Sequence, residues 1–200
     1  IVMICNGDHP LITGDDYRQA LENFTAKGLD ILVLSAVVKN PTAFGRVVRD
    51  HQGRFEFIVD EKDATPDQKR IREVNTGLYV VKAEILKELL PKISNENAKG
   101  EFYLTDIVSL GLEAGLRVEA VVARSPRVCR GVNNQWELAQ AAKMLYLRKC
   151  KSLMEAGVMI LDPSHTYIDD TVEIGAESFV GPGCEILGRT VIGSRVKVGG

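Results

Sequence analysis

The sequence has no run of 18 apolar residues and no basic segment leading into an apolar stretch with a small-residue cleavage site. Nothing in its 200 residues therefore reads as a membrane-spanning helix or a secretory signal. The formal net charge is only -2, too little to gather nucleic acid or an anionic membrane surface. The four cysteines, Cys5, Cys129, Cys150 and Cys184, stand far apart and match no metal-ligand spacing. They read as buried thiols of a reducing compartment, which predicts a cytoplasmic protein. The three histidines, His9, His51 and His165, form neither a zinc pattern nor part of a nucleophilic triad. No initiator Met opens the chain, and it closes on Val198-Gly199-Gly200 inside a repeat, so it reads as a piece of a longer protein.

What is present is an ordinary soluble composition, 45% hydrophobic and 26% charged, enough for one large domain or two small ones. The apolar run Ile1-Val2-Met3-Ile4-Cys5 reads as a strand buried on both faces. Asn6-Gly7-Asp8-His9-Pro10-Leu11 follows directly. A carboxylate where such a strand stops lies at the carboxyl edge of a sheet, the ligand-binding edge of open α/β folds. Gly7 permits close approach to the backbone and Pro10 ends the strand. Asp8 then reads either as a ligand for a hard divalent cation or as the cap of the next turn.

Further along, Thr13 or Asp15 can cap a helix whose Tyr17, Leu21 and Phe24 share a face, with Gly28 as its stop. Ile31 to Val38 reads as a second buried strand. Phe44 to Val48 and Phe55 to Val59 flank a Gly-containing turn and predict an antiparallel hairpin. A polar helix is expected around Thr65 to Ile71, then Asn75-Thr76-Gly77 preceding a strand over Leu78 to Val81. Ala83 to Leu90 predicts a short helix ended by Pro91. A further helix, with Thr105 as its cap, runs to about Ala114, followed by a strand from Val118 to Ala123. A long helix spans about Gln135 to Glu155, its apolar stripe supplied by Leu138, Ala141, Ala142, Leu145, Leu147 and Met154. Strands alternating with helices, plus one hairpin, predict an α/β fold with a mixed sheet.

From Ile168 an aliphatic residue recurs every sixth position: Ile168, Ile174, Val180, Ile186, Ile192, Val198. Gly follows four of them, at Gly175, Gly181, Gly193 and Gly199, and is expected to supply backbone freedom at corners. The fourth residue after each is small or β-branched: Val172, Ser178, Cys184, Thr190, Val196. Six matches in phase define the hexapeptide repeat of a parallel β-helix. Its 33 residues make slightly under two triangular coils, a marginal stack, so amides beyond about Asp169 are expected to exchange fast.

Six segments stand in a distinctive order before this repeat. They are Gly7-Asp8-His9-Pro10-Leu11, Phe44-Gly45-Arg46-Val47, Ile58 to Thr65, Asn75-Thr76-Gly77, Gly100 to Asp106, and Gly131-Val132-Asn133-Asn134. Together they resemble the bifunctional bacterial enzymes that are both N-acetylglucosamine-1-phosphate uridylyltransferase and glucosamine-1-phosphate N-acetyltransferase. The resemblance spans essentially the whole chain. It implies a partial Rossmann-like nucleotidyltransferase domain with a mixed sheet (1–134), a linker helix (135–158), and the first coils of a left-handed parallel β-helix acetyltransferase domain (159–200).

The resemblance also implies the site. In that family the Asp of Gly-Asp-x-Pro and the first Asn of Gly-Val-Asn-Asn hold Mg²⁺, here Asp8 and Asn133. Asn133 could equally cap the long helix. Sugar contacts fall on Gly45, Asp60 and Asn75, and nucleotide contact on Asn6 and Gly7. Two departures stand out: the family has Glu at the position of Asp60, which leaves Glu61 as a substitute, and an aromatic residue at the position of Asn6. No Leu-x-Ala-Gly-x-Gly-Thr-type phosphate loop is present, and the acetyl-CoA site of the family uses later coils. This chain alone is therefore expected to be inactive. In the parent enzyme the implied reaction transfers UMP from UTP to N-acetylglucosamine-1-phosphate, giving UDP-N-acetylglucosamine for peptidoglycan and lipopolysaccharide synthesis. The implied partners are those substrates, Mg²⁺, acetyl-CoA and two further copies in a homotrimer. Other readings are a sugar-nucleotide pyrophosphorylase for another sugar or nucleotide, such as an ADP-glucose type, and a non-catalytic trimeric scaffold.

Overall fold

A computed structural model describes residues 1–199. By its internal contacts the chain divides into two units, Ile1–Gly131 and Val132–Gly200. No helix among the described residues is long and apolar enough to cross a membrane.

The first unit is built on the most apolar segment of the chain, β2 (Ile31–Val37), buried on both faces over Ile31 to Ala36. Such a strand needs a neighbour on each side and a helix on each face. On one side it pairs antiparallel with β5 (Glu73–Val81), and on the other parallel with β6 (Val118–Val122). The hairpin of β3 (Arg46–Arg49) and β4 (Phe55–Val59) joins the far edge of β5 at Arg46↔Val74. β1 (Val2–Ile4) takes the other half of that edge, at Val2↔Val81 to Ile4↔Tyr79. The sheet is mixed, in the order β4-β3-β5-β2-β6 with β1 on β5.

Period-2 alternation sorts the core into two layers. Leu32, Leu34 and Ala36 join Ala20 and Phe24 of α1 (Gly14–Ala26). Ile31 and Val33 join Leu89 of α2 (Ala83–Leu89) with Ile107 and Val108 of α3 (Asp106–Glu113). Thr13 caps α1 in a capping box with Asp16, and Gly28 leaves it at φ 58°.

The structure departs from the sequence reading at several points. β1 is half-exposed rather than buried on both faces, with Met3 and Cys5 exposed, because β5 is its one strand partner among the described residues. The helix expected at 65–71 is a single 3₁₀ turn, Gln68–Arg70. Thr105 stands at the start of α3 in helical conformation and its hydroxyl makes no capping bond. Asn75 to Gly77 lies inside β5, at a bulge opposite Leu34 and Ser35, instead of before the strand.

The second unit starts with α4 (Gln135–Glu155). Its buried residues are Ala141, Cys150 and Leu153, whereas Leu138, Leu147 and Met154 of the expected stripe are exposed. Two-residue strands follow: β7 (Met159–Ile160), β8 (Tyr167–Ile168), β9 (Glu173–Ile174), β10 (Phe179–Val180), β11 (Glu185–Ile186), β12 (Val191–Ile192) and β13 (Lys197–Val198). They stack in three parallel ribbons, β13-β10-β7, β11-β8 and β12-β9. Ile168↔Ile186, Ile174↔Ile192 and Val180↔Val198 pair in register, eighteen residues apart. Ile168, Val172, Ile174, Val180, Cys184 and Ile186 fill the interior with Cys150 and Leu153.

The corners differ from expectation. The left-handed residues of the repeat are Glu177 (φ 63°), Gly183 (φ 74°) and Arg195 (φ 58°), each three positions after an inward aliphatic residue, and Gly188 (φ 68°), two positions after Ile186. Gly175 is required for space instead: a Cβ there would stand 2.5 Å from the Ser194 amide nitrogen.

Candidate active site

Two groups of sequence-predicted residues assemble in the first unit. The first forms on the bulge of β5. The Asn75 N–H donates to the Gly45 carbonyl at 2.9 Å, fastening the segment before β3 to the strand. The Asn75 Oδ1 accepts from the Gly77 N–H at 3.0 Å, and its Nδ2 donates to the Tyr79 hydroxyl at 2.7 Å. Burial pushes the Tyr79 hydroxyl pKa far up, so it stays a neutral partner. Gly77 has φ 76°, and a Cβ on it would overlap the Asn6 side chain, 2.4 Å from Nδ2. Asn6, Gly45 and Asn75 are thus brought together around Gly77. Both ends of the Asn75 amide are used once, and each retains one further hydrogen-bonding position.

Asp60 follows β4 and starts a tight turn. Its Oδ1 accepts from the Lys62 N–H at 3.1 Å, and its Oδ2 lies 3.6 Å from the Lys99 ammonium. Lys99 also stands over the Tyr103 ring, 5.4 Å from its centroid, and the Asp60 charge holds its pKa above the usual lysine value. Asp63 ties the same two segments by accepting from the Ala98 N–H at 3.2 Å. Glu61, the sequence alternative to Asp60, is engaged elsewhere: it pairs with the fully buried Arg46 guanidinium. Lys99 was not anticipated from sequence. Its lysine lies 39 positions from Asp60 in a polar loop, and no local pattern links them.

The second group surrounds Asp8. Its carboxylate is 43% exposed, and its Oδ1 lies 3.8 Å from His9 Nε2. His9 Nδ1 is 3.1 Å from the Val128 carbonyl. A Cβ at Gly131 would meet Asp8 Oδ2 at 3.0 Å. Gly7 faces open space. Among the described residues no cluster of three or more His, Cys, Asp or Glu side chains could hold a metal. Mg²⁺ commonly binds through one or two carboxylates and keeps its water, so an accessible carboxylate like that of Asp8 has the right chemistry for it.

Asn133 lies in the second unit, just before α4. Its N–H and Nδ2 donate to Glu137 Oε2 at 2.7 and 3.2 Å. These bonds, the backbone one foremost, hold the Glu137 carboxyl below its usual pKa. The cap of α4 is Asn134, whose Oδ1 accepts from the Glu137 N–H at 2.9 Å, and not Asn133. Asn133 Oδ1 meets no protein donor among the described residues.

A mixed sheet with helices on both faces and an accessible acid just past an edge strand is the layout of an α/β fold that binds ligands at a sheet edge. Residues 1–137 match the nucleotidyl transferase family, and the chain belongs to that family. Among particular proteins it is similar to the bifunctional protein GlmU of Bdellovibrio bacteriovorus, 48% identical over 189 residues, which cover 94% of this chain and 41% of that protein. It is also similar to GlmU of Caldanaerobacter subterraneus, 42% identical over 199 residues, covering 100% of this chain and 43% of that protein. The chain thus spans about two fifths of the length of these curated relatives. In fold it resembles a Bacillus anthracis protein provisionally assigned as a glucose-1-phosphate thymidylyltransferase, crystallised with sucrose. That likeness has a TM-score of 0.51 at 22% identity and covers 70% of this chain and 52% of the other.

Proposed function

We propose that the chain carries the metal and sugar sides of a uridylyl-transfer site, which passes UMP from UTP to N-acetylglucosamine-1-phosphate and releases pyrophosphate. The observation that carries this reading is the gathering of Asn6, Gly45 and Asn75 around Gly77. Backbone and amide groups held this rigidly suit a sugar ring bearing hydroxyl and acetamido groups. In this reading Gly45, Asp60 and Asn75 bind the sugar, while Asn6 and Gly7 border the nucleotide. Asp8 and Asn133 would hold Mg²⁺, which supplies charge neutralisation at the phosphates. The sugar-phosphate oxygen attacks the α-phosphorus in line, so the protein must position two anions and needs no nucleophile of its own.

In the same reading α4 is a linker, and the stacked ribbons are the start of a left-handed parallel β-helix that trimerises and continues into an acetyl-CoA-dependent acetyltransferase. The register repeat of eighteen residues supports that architecture. The whole protein would act in the cytoplasm in cell-wall precursor synthesis.

Saturation-transfer NMR of UDP-N-acetylglucosamine with this chain tests the sugar side. Transfer to the acetamido methyl that disappears in Asn75→Ala and Asp60→Ala is the expected result. Transfer unchanged in both variants would overturn the assignment.

A further inference from the structure

Tyr79 carries a hydroxyl that the core does not need. The residue is 3% exposed and packs in the layer of Val33, Val47 and Leu89, where a phenylalanine would fill the same volume. Val33 of β2 and Ile4 of β1 pair with it from either side and hold its backbone in place. Four residues along a regular strand span about 13 Å, too far for a hydrogen bond between Asn75 and Tyr79. The bulge removes that distance. Tyr79 pairs with Val33 and Asn75 with Ser35, so Thr76 and Gly77 fall outside the ladder. Asn75 and Tyr79 thereby become neighbours on one face of the sheet. The Tyr79 hydroxyl accepts from Asn75 Nδ2 at 2.7 Å.

The amide is then held at both ends. The Gly77 N–H can only donate, so it selects Oδ1, and the Tyr79 hydroxyl takes one hydrogen of Nδ2. One lone pair on Oδ1 and one hydrogen on Nδ2 remain for a ligand, each in a set direction. An amide fixed beforehand loses no rotational freedom when it binds.

We infer that Tyr79 is a positioning residue of the sugar site, whose hydroxyl aims the two remaining hydrogen-bonding positions of Asn75 at the ligand. The inference rests on the reading of Asn75 as a sugar contact.

Titration calorimetry of UDP-N-acetylglucosamine with the 200-residue chain tests it through Tyr79→Phe, which keeps the ring and removes one oxygen. Affinity is expected to fall about fivefold, the worth of one hydrogen bond. Adding Tyr79→Phe to Asn75→Ala should cause no further fall, because the hydroxyl acts through the amide. A side chain that only supports the strand would weaken binding by the same factor in both backgrounds, and that result would overturn the inference. So would a Tyr79→Phe affinity equal to that of the unaltered chain. The ¹H–¹⁵N spectrum of ligand-free Tyr79→Phe should move at amides near the bulge, the Asn75 side-chain pair among them. A spectrum altered throughout would make the hydroxyl a support of the whole sheet and overturn its positioning role. Binding that is absent from the unaltered chain, or indifferent to Asn75→Ala, would instead overturn the sugar reading and this inference with it.

Discussion

The Lys99 ammonium and the Asp60 carboxylate lie 3.6 Å apart, joining the loop before α3 to the turn after β4. Each side chain is 30% exposed, so the pair contributes little to stability. Lys99→Met is expected to leave the urea unfolding midpoint nearly unchanged. Asp60→Ala is expected to weaken a UDP-N-acetylglucosamine ligand by about tenfold or more, the loss of a hydrogen bond to a charged acceptor. Titration calorimetry of the two variants separates the tie from the sugar contact. Equal weakening in both would assign Asp60 a purely structural role.

Arg46 and Glu61 call for the opposite expectation. The Arg46 side chain is 1% exposed, its Nε has no hydrogen-bond partner, and Glu61 is its counter-charge. Glu61→Gln leaves that guanidinium buried and unpaired, and is expected to cost about 3 kcal/mol by chemical denaturation. Replacing both residues with apolar side chains of similar volume should recover most of the loss. A double variant as unstable as the single one would refute this account.

Asp30 sets a pH dependence. The Lys82 ammonium at 2.6 Å foremost, then the Arg117 N–H at 2.9 Å, holds its carboxyl below the usual aspartate range. A depressed folded-state pKa stabilises above the unfolded value of about 4, and that contribution is lost as pH falls below it. Asp30→Asn should therefore cost about 2 kcal/mol at pH 7, and the gap to the unaltered chain should close below pH 4. Stability curves that run parallel from pH 7 to pH 3 would count against it.

Gly175 tests the second unit. Its Cβ position lies 2.5 Å from the backbone nitrogen of Ser194, so Gly175→Ala must push two stacked turns apart. The expected cost is about 1–3 kcal/mol. Hydrogen exchange should accelerate at the amides of Gly175 and Arg195, which bond Ile192 and Ala176 across that contact.

The sequence carried the architecture well where a single period dominated. The apolar segment of β2, the hairpin around Gly53 and the six-residue repeat were each readable because one local pattern runs through each of them. What escaped depended on partners distant in sequence. The exposure of β1 follows from having one strand neighbour among the described residues, which the apolar run Ile1 to Cys5 cannot itself reveal. The identity of the α4 cap turned on which of two adjacent asparagines aims its Oδ1 at Glu137. The site residues were legible only through motif order. Their geometry, with Asn6 packed on Gly77 and Glu61 drawn away to Arg46, arises from contacts 15 to 71 positions apart.

The bulge in β5 has a mechanical consequence. Asn75 sits between the buried residues Val74 and Thr76 of β5, and its own amide hydrogen is tied to Gly45. It cannot shift without unzipping the sheet, so any ligand must conform to Asn75. Asp60 sits instead on a turn steadied by exposed ionic and backbone contacts. A sugar binding here would meet one fixed jaw and one compliant jaw, and selectivity at the Asn75 contact would resist change more than selectivity at the Asp60 contact.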